Sequence, residues 1–431
     1  MRKAIFTIVA KNYFGLAEVL GESVINNSKD VDFHIFISDE VNEPKILQKV
    51  KESKFQTWIC KNNLGISDAD WYNIAFKYSV TEFCTFLKPY NFNFLFNKGY
   101  DKVIYFDPDI YVFNNTESIF NELNNNFIFL TPHITTIQTE YTGDASQQDI
   151  LASGIYNLGF LALKNCDEAT KVLNWWQNRL WDQCFVDRAD SLFTDQKWMD
   201  YIFSFFDNGI HVSRNLGFNL APWNFFERSV LTINNELYVN NRLDKSIDAS
   251  NLIFVHYSGF NYKSLADTNS NLPGVNFDKY PDIQILLKLY EEKISKSRTA
   301  DFLNLNYTYN FFDNGVEILH LHRRLFRRML LANRSNTINP FAVNQDLSFY
   351  NQLRKRKLVD IEYVKNNMDK MRKDDYGDYY KKVYYINKFF LLVKQLVGFK
   401  KYYMLSKFFI KYFRPENQYF LLDKKDVSKT L

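Results

Sequence analysis

The chain has 431 residues, 46% hydrophobic and 24% charged, with a formal net charge of +4. That is enough for two or three domains, or one large domain with an appendage, and it is an ordinary balance for a soluble protein that buries a core. The four cysteines, Cys60, Cys84, Cys166 and Cys184, lack CxxC spacing, which speaks against a zinc site or a disulfide framework and fits a reducing cytoplasm.

Met1-Arg2-Lys3 followed by the apolar run Ala4–Ala10 imitates a short leader. The run ends at Lys11-Asn12 without a small-residue cleavage pattern, so we read Ala4–Ala10 as a buried first strand. A helical face comes next, with Leu16, Val19, Leu20 and Val24. Asp32–Ser38 reads as a second strand, and a long helical stretch, Trp71–Leu87, leads to a third strand, Lys102–Phe106. Phe127–Thr131 and Ile155–Leu163 read as strands, Asp167–Leu180 and Asp195–Phe206 as helices, and Leu252–Val255 as a last short strand. Strands alternating with helices predict an α/β architecture with a mostly parallel sheet. Residues 265–281 are loop-like, and from Ile283 the pattern is helical. The expected domains are 1–264, catalytic; 265–355, a linker and helical extension; and 356–431, a basic aromatic helical tail. No stretch reaches the roughly 18 uninterrupted apolar residues of a membrane span.

In the third strand's continuation, Val103–Phe113, Asp107 and Asp109 interrupt an apolar run. Buried carboxylates are costly unless a cation or hydrogen bonds compensate them. At a strand's C-terminal end they sit where open α/β sheets bind ligands. Their oxygens suit Mg²⁺ or Mn²⁺, which also hold diphosphate oxygens. An Asp-Pro surface turn is the plainer alternative. His256 closes the last apolar strand and Gly259 comes three residues later. The imidazole can complete a metal shell and the glycine lets backbone approach a phosphate; a core histidine is the alternative. Asn157 is a lone amide in an apolar strand between Gly154 and Gly159. Asp195-Gln196 opens a helix, where Asp195 also reads as an ordinary first-turn residue. Lys88 precedes Pro89 on the helix leading to the metal strand. It either adds positive charge near a leaving group or is a solvated helix-end lysine.

These motifs in this order, across roughly residues 4–264, resemble the GT-A glycosyltransferases, in particular the glycogenin and bacterial lipopolysaccharide galactosyltransferase group. The matching segments are Ile8–Tyr13, Asp107-Pro108-Asp109, Asn157-Leu158-Gly159, Asp195-Gln196 and His256-Tyr257-Ser258-Gly259. The resemblance implies a Rossmann-like GT-A domain that moves a sugar from a UDP-sugar to an acceptor hydroxyl with retention of configuration. It assigns Ala10, Asn12 and Tyr13 to the uridine pocket, Asp107, Asp109 and His256 to the metal, and Asn157, Asp195 and Gln196 to the sugar and reacting carbon. The family's donor-phosphate lysine comes three residues after the last glycine; here Lys263 comes four after Gly259. Trp175-Trp176 and Asn219–Asn224 resemble a bacterial subgroup of transferases, so the acceptor does not carry over from the better-known members; a glycan, glycolipid or glycoprotein in bacterial cell-surface polysaccharide or glycoconjugate synthesis is the expected class.

Two rival functions stand beside this one. A sugar-phosphate nucleotidyltransferase usually carries a glycine-rich basic loop after its first strand, and Lys11–Gly15 is poor in glycine. A non-catalytic sugar-binding protein on a degenerate transferase fold fits poorly with intact Asp107, Asp109 and His256. A dinucleotide oxidoreductase is disfavoured because no GxGxxG follows a strand. Finally, Tyr379–Arg414 holds nine basic residues and no acidic ones. Its apolar residues at helical spacing fit either an interfacial helix on anionic lipid or a helical subdomain with a solvated basic face. Nothing else in the chain points to nucleic acid. The expected location is the cytoplasm, with this tail on the inner face of the cell membrane.

Overall fold

The N-terminal apolar run forms strand β1, Lys3–Val9, which is buried from Ala4 onward. A strand covered on both faces needs no alternation of polar and apolar residues, which is why the run is continuous. The computed structural model describes residues 1–262, 272, 275–332, 339–344, 347–359, 369 and 377–423. It divides into two units, Met1–Ile66 with Val80–Tyr307, and Ser67–Ser79 with Thr308–Leu431.

In the first unit the strands are β1, then β2 Asp32–Ile37, β3 Gln56–Ile59, β4 Lys102–Phe106, β5 Ile110–Val112, β6 Ile128–Leu130, β7 Phe160–Lys164, β8 Val186–Asp187, β9 Leu192–Phe193, β10 Ile210–Val212, β11 Arg228–Ile233, β12 Glu236–Asn241, β13 Ser250–Asn251 and β14 Phe254–His256. The main sheet runs β10-β6-β7-β4-β1-β2-β3. It is parallel except at β7, which is antiparallel to β4 and β6. This is the expected mostly parallel α/β sheet with helices, including Phe14–Asn27 and Asp167–Gln183. Gly15 permits one close approach in the core, since a Cβ there would lie 2.4 Å from the Thr299 Cα.

Several elements differ from the sequence reading. Ile155–Leu163 is not one strand; the ladder starts at Phe160, with only an isolated bridge from Tyr156 to Pro132 before it. Upstream, side chains take the backbone N–H groups: Asp200 accepts from Ile155, and Gln196 from Leu158. Residues 196–201 are 3₁₀, with only Ile202–Phe205 α-helical. The last strand is Phe254–His256. The stretch 71–87 breaks at Tyr78, which is extended. Helix Asp68–Lys77 belongs to the second unit, where the Arg323 guanidinium takes the Phe76 and Tyr78 carbonyls, each at 2.8 Å. That cation caps the helix's C-terminal oxygens.

β3 and the β11–β12 hairpin were not anticipated. The hairpin's signal was present: Asn234 and Asn235 both have positive φ, 51° and 68°, as a type I′ turn requires. The second unit packs an aromatic core in which Phe76 meets Phe326, Phe341 and Phe349. Its described C-terminal helices are Tyr379–Val397 and Phe399–Tyr412.

Candidate active site

β4 is buried along its whole length and stops at Phe106. The chain then turns through Asp107-Pro108-Asp109 into β5, and β14 pairs antiparallel with β5, setting His256 opposite Ile110. The Tyr257 N–H donates to the Asp109 carbonyl at 2.8 Å. This register brings the imidazole beside the carboxylates: His256 Nε2 lies 3.1 Å from Asp109 Oδ1 and 3.8 Å from Asp107 Oδ2. One donor atom from each of the three residues falls within 4.8 Å of the others. Two hard oxygens and an imidazole nitrogen on a turn that is partly open to solvent suit a divalent cation.

The protons of this cluster can be assigned from its backbone anchors. The Leu158 N–H donates at 2.9 Å to Gln196, so that atom is the amide oxygen; Gln196 Nε2 then donates to the Ser153 carbonyl at 2.9 Å. Asn157 Nδ2 donates to the same Gln196 oxygen at 3.3 Å. Asn157 Oδ1 therefore accepts, from the Gly159 N–H at 3.2 Å and from Asn219 Nδ2 at 3.1 Å. It also faces His256 Nδ1 at 3.2 Å, so Nδ1 carries the proton. With Nδ1 protonated, Nε2 is the nitrogen that must give up its proton for the imidazole to bind a metal, and it already faces the carboxylates. Gly159 makes room for the ring: a Cβ there would lie 2.3 Å from His256 Cε1. Trp223 packs edge-on against the same ring, with centroids 5.1 Å apart.

Lys88 is buried, not a solvated helix-end lysine. Its ammonium lies 2.9 Å from Asp195 Oδ2, 3.9 Å from Asp107 Oδ1 and 2.8 Å from the Leu158 carbonyl. Burial pulls its pKa down, but the Asp195 and Asp107 carboxylates more than offset this and hold it above its ordinary value. Burial likewise opposes the His256 cation, and Asp109 and then Asp107 outweigh it, leaving the imidazole above 6.5 in the metal-free protein. Burial, reinforced by Asp107, pushes the Tyr105 phenol well up, and its hydroxyl donates to Asp107 Oδ1.

A cleft of about 330 Å³ opens over this cluster, with Ala10, Tyr13, Asp107, Asp109, Gly259 and Tyr262 in its lining. Asn12 lies in the same turn as Tyr13, and its Oδ1 is buried without a hydrogen-bond partner among the described residues. Lys263 lies outside the described residues. The Gln196 amide is engaged with Ser153, Asn157 and Leu158. Sequence reasoning did not single out Tyr105, Asn219 or Trp223 as site residues. A tyrosine two residues before Asp107 and the polar run Asn219–Asn224 were the signals for them.

Residues 4–174 match the family model described as "Glycosyl transferase family 8". Over this region, less than half of its length, the chain resembles the GT-A glycosyltransferases of that family. The match takes in Asp107, Asp109 and Asn157 but ends before Asp195 and His256, which the fold brings to the same place. YfnF of Bacillus subtilis (strain 168), an uncharacterized protein, is 24% identical over 302 residues, 68% of this chain and 92% of YfnF. YfnD of the same organism is 29% identical over 186 residues, 42% of this chain and 54% of YfnD. Among solved structures, the galactosyltransferase LgtC with donor and acceptor sugar analogs is 14% identical, covers 67% of this chain and 99% of its own, and gives a TM-score of 0.36. The family match over residues 4–174 supports sugar transfer.

Proposed function

We propose that the protein moves a hexose from a UDP-sugar to an acceptor hydroxyl on a glycan, glycolipid or glycoprotein, with a divalent cation, Mn²⁺ or Mg²⁺, and with retention at the anomeric carbon. The observation that supports this best is the convergence of Asp107, Asp109 and His256 beside the cleft, with His256 Nε2 turned toward the carboxylates. These three residues would hold the cation. When bound, it supplies Lewis-acid stabilisation of the departing diphosphate.

The remaining steps fall to the chain's own groups. Ala10, Asn12 and Tyr13 receive the nucleoside at the end of β1. The backbone at Gly259, which has φ +83°, allows a phosphate to approach closely. Lys88, kept as an ammonium by its carboxylate neighbours, offsets negative charge gathering on the leaving group in a low-dielectric setting. Asp195 anchors Lys88 and faces the donor sugar. Asn157 orients His256, while Gln196 fixes Asn157 beside the reacting carbon.

In this reading residues 1–264 are the catalytic domain, 265–355 link it to a helical extension, and 356–431 form the tail. The chemistry takes place in the cytoplasm at the inner membrane face, within bacterial surface polysaccharide or glycoconjugate synthesis. Release of UDP from a panel of UDP-sugars in Mn²⁺ tests the reading. One donor hydrolysed slowly without acceptor supports it. No release from any UDP-sugar, with nucleotide transfer to a sugar phosphate instead, overturns it.

A further inference from the structure

Helices Tyr379–Val397 and Phe399–Tyr412 meet at Gly398, whose φ of +78° lets the chain reverse sharply. Neither helix contains a buried residue. The half-buried positions Val383, Phe390, Val393 and Val397 on the first and Tyr402, Ser406 and Phe409 on the second mark the seam where they touch. Away from the seam each helix carries a second apolar stripe. On the first it is Tyr385, Phe389, Leu392 and Leu396, spaced four, three and four residues apart. On the second it is Phe399 and Tyr403, with Ile410 at the edge of the cavity between the helices. Such spacing places side chains on one helix face. Leu396 and Ile410 are 76% and 77% exposed. Large contiguous apolar exposure marks an interaction surface.

The charge pattern selects the partner. Lys381 and Lys388 flank the first stripe, and Lys400, Lys407 and Lys411 run beside the second. Tyr379–Arg414 has nine basic residues and no acidic ones. No described helix is long and apolar enough to cross a membrane. A basic helix with a wide apolar face and tyrosines at its polar margin, too short in its apolar content to span, lies in the headgroup layer of a bilayer. A cavity of about 420 Å³ between the helices, lined by Phe390, Val393, Tyr402, Leu405 and Phe409 among others, leaves apolar surface that hydrocarbon tails can fill.

We propose that the hairpin 379–412 is a membrane-surface anchor for anionic lipid. It is independent of the chemistry assigned to Asp107, Asp109 and His256. The test uses the full chain, sedimented with phosphatidylcholine vesicles with and without phosphatidylglycerol, at low and high salt. The expected result is binding to the anionic vesicles only, weakened by salt. Each lysine near the surface contributes roughly five-fold. Lys388→Gln with Lys400→Gln and Lys407→Gln should therefore weaken binding about a hundred-fold. Leu392→Asp with Phe399→Asp, both at exposed positions, should abolish it even at low salt. Equal binding to neutral and anionic vesicles, or none to either, overturns the proposal. So does a hairpin-dependent dimer in solution that the aspartates dissociate while vesicle binding stays absent. UDP release in the same samples should match the unaltered protein. Loss of release with vesicle binding intact would count against the proposed chemistry alone.

Discussion

Substituting Gly159 by alanine probes how tightly the metal-ligand cluster is built. A Cβ at Gly159 would lie 2.3 Å from His256 Cε1, 2.8 Å from its Nδ1 and 2.9 Å from Asn157 Oδ1, whereas ordinary contact begins near 3.4 Å. The ring must therefore give by about 1.1 Å, the difference between 3.4 and 2.3 Å. It is buried, with Trp223 packed edge-on against it and Asn157 bonded to Nδ1. Overpacking of this kind costs about 1–3 kcal/mol. A ligand displaced by about 1 Å, or parted from its orienting partner, loses about 10–100-fold in metal affinity. Calorimetric titration with Mn²⁺ reads the affinity, and thermal melting reads the stability. In Gly159→Ala with His256→Ala the ring is gone and only the 2.9 Å approach to Asn157 Oδ1 remains. Adding the alanine at 159 should then cost much less stability than in the single variant, a non-additivity that identifies the ring as the main clashing group. Unchanged Mn²⁺ affinity in the single variant, or fully additive losses in the pair, would refute the argument.

Three other outcomes are expected from the same geometry. Lys88→Met should cost about 3–5 kcal/mol, because it leaves Asp195 buried without its counter-charge, and should cut turnover by at least a hundred-fold; denaturant unfolding and UDP release check it. His256 is held above 6.5 in the metal-free protein, so it contributes stability that is complete below its unfolded pKa and lost as pH rises through the folded one. Metal affinity runs the opposite way, growing as pH rises through that range, and His256→Ala should flatten the slope of Mn²⁺ affinity against pH. Asn157→Leu should remove the acceptor for His256 Nδ1, lowering Mn²⁺ affinity about 10–100-fold, as calorimetry would show.

Much of the site could be read along the chain. Ala4–Val9 and Lys102–Phe106 are continuous apolar runs because each is covered on both faces, and carboxylates at the end of such a run announce themselves. His256 was visible for the same reason, closing a strand of buried residues. What could not be read depends on contacts between distant residues. The burial of Lys88 depends on Asp195, more than a hundred residues away, and no local pattern reports it. Gln196 looked like a helix-start residue facing substrate, yet its amide spans to Leu158 and Ser153. That same bond stops 155–159 from being the strand its apolar composition suggested. Helix Asp68–Lys77 looked continuous with Val80–Phe86 because periodicity carries across Tyr78, while the Arg323 guanidinium that caps it comes from much further along. The β11–β12 hairpin was legible in principle, through the turn pair Asn234-Asn235.

The central claim is that Asp107, Asp109 and His256 together hold a cation that binds the donor's diphosphate. Calorimetric titration of UDP into the protein, with and without Mn²⁺, tests it most directly when repeated on Asp109→Asn. Exchanging one carboxylate oxygen for an amide removes a charge from the cation's shell without changing the side chain's size. The account predicts tight, Mn²⁺-dependent UDP binding to the unaltered protein, and a loss of that dependence in Asp109→Asn with a cooperative folded state retained. UDP binding that is equally strong without Mn²⁺, or unaffected by Asp109→Asn, would contradict it.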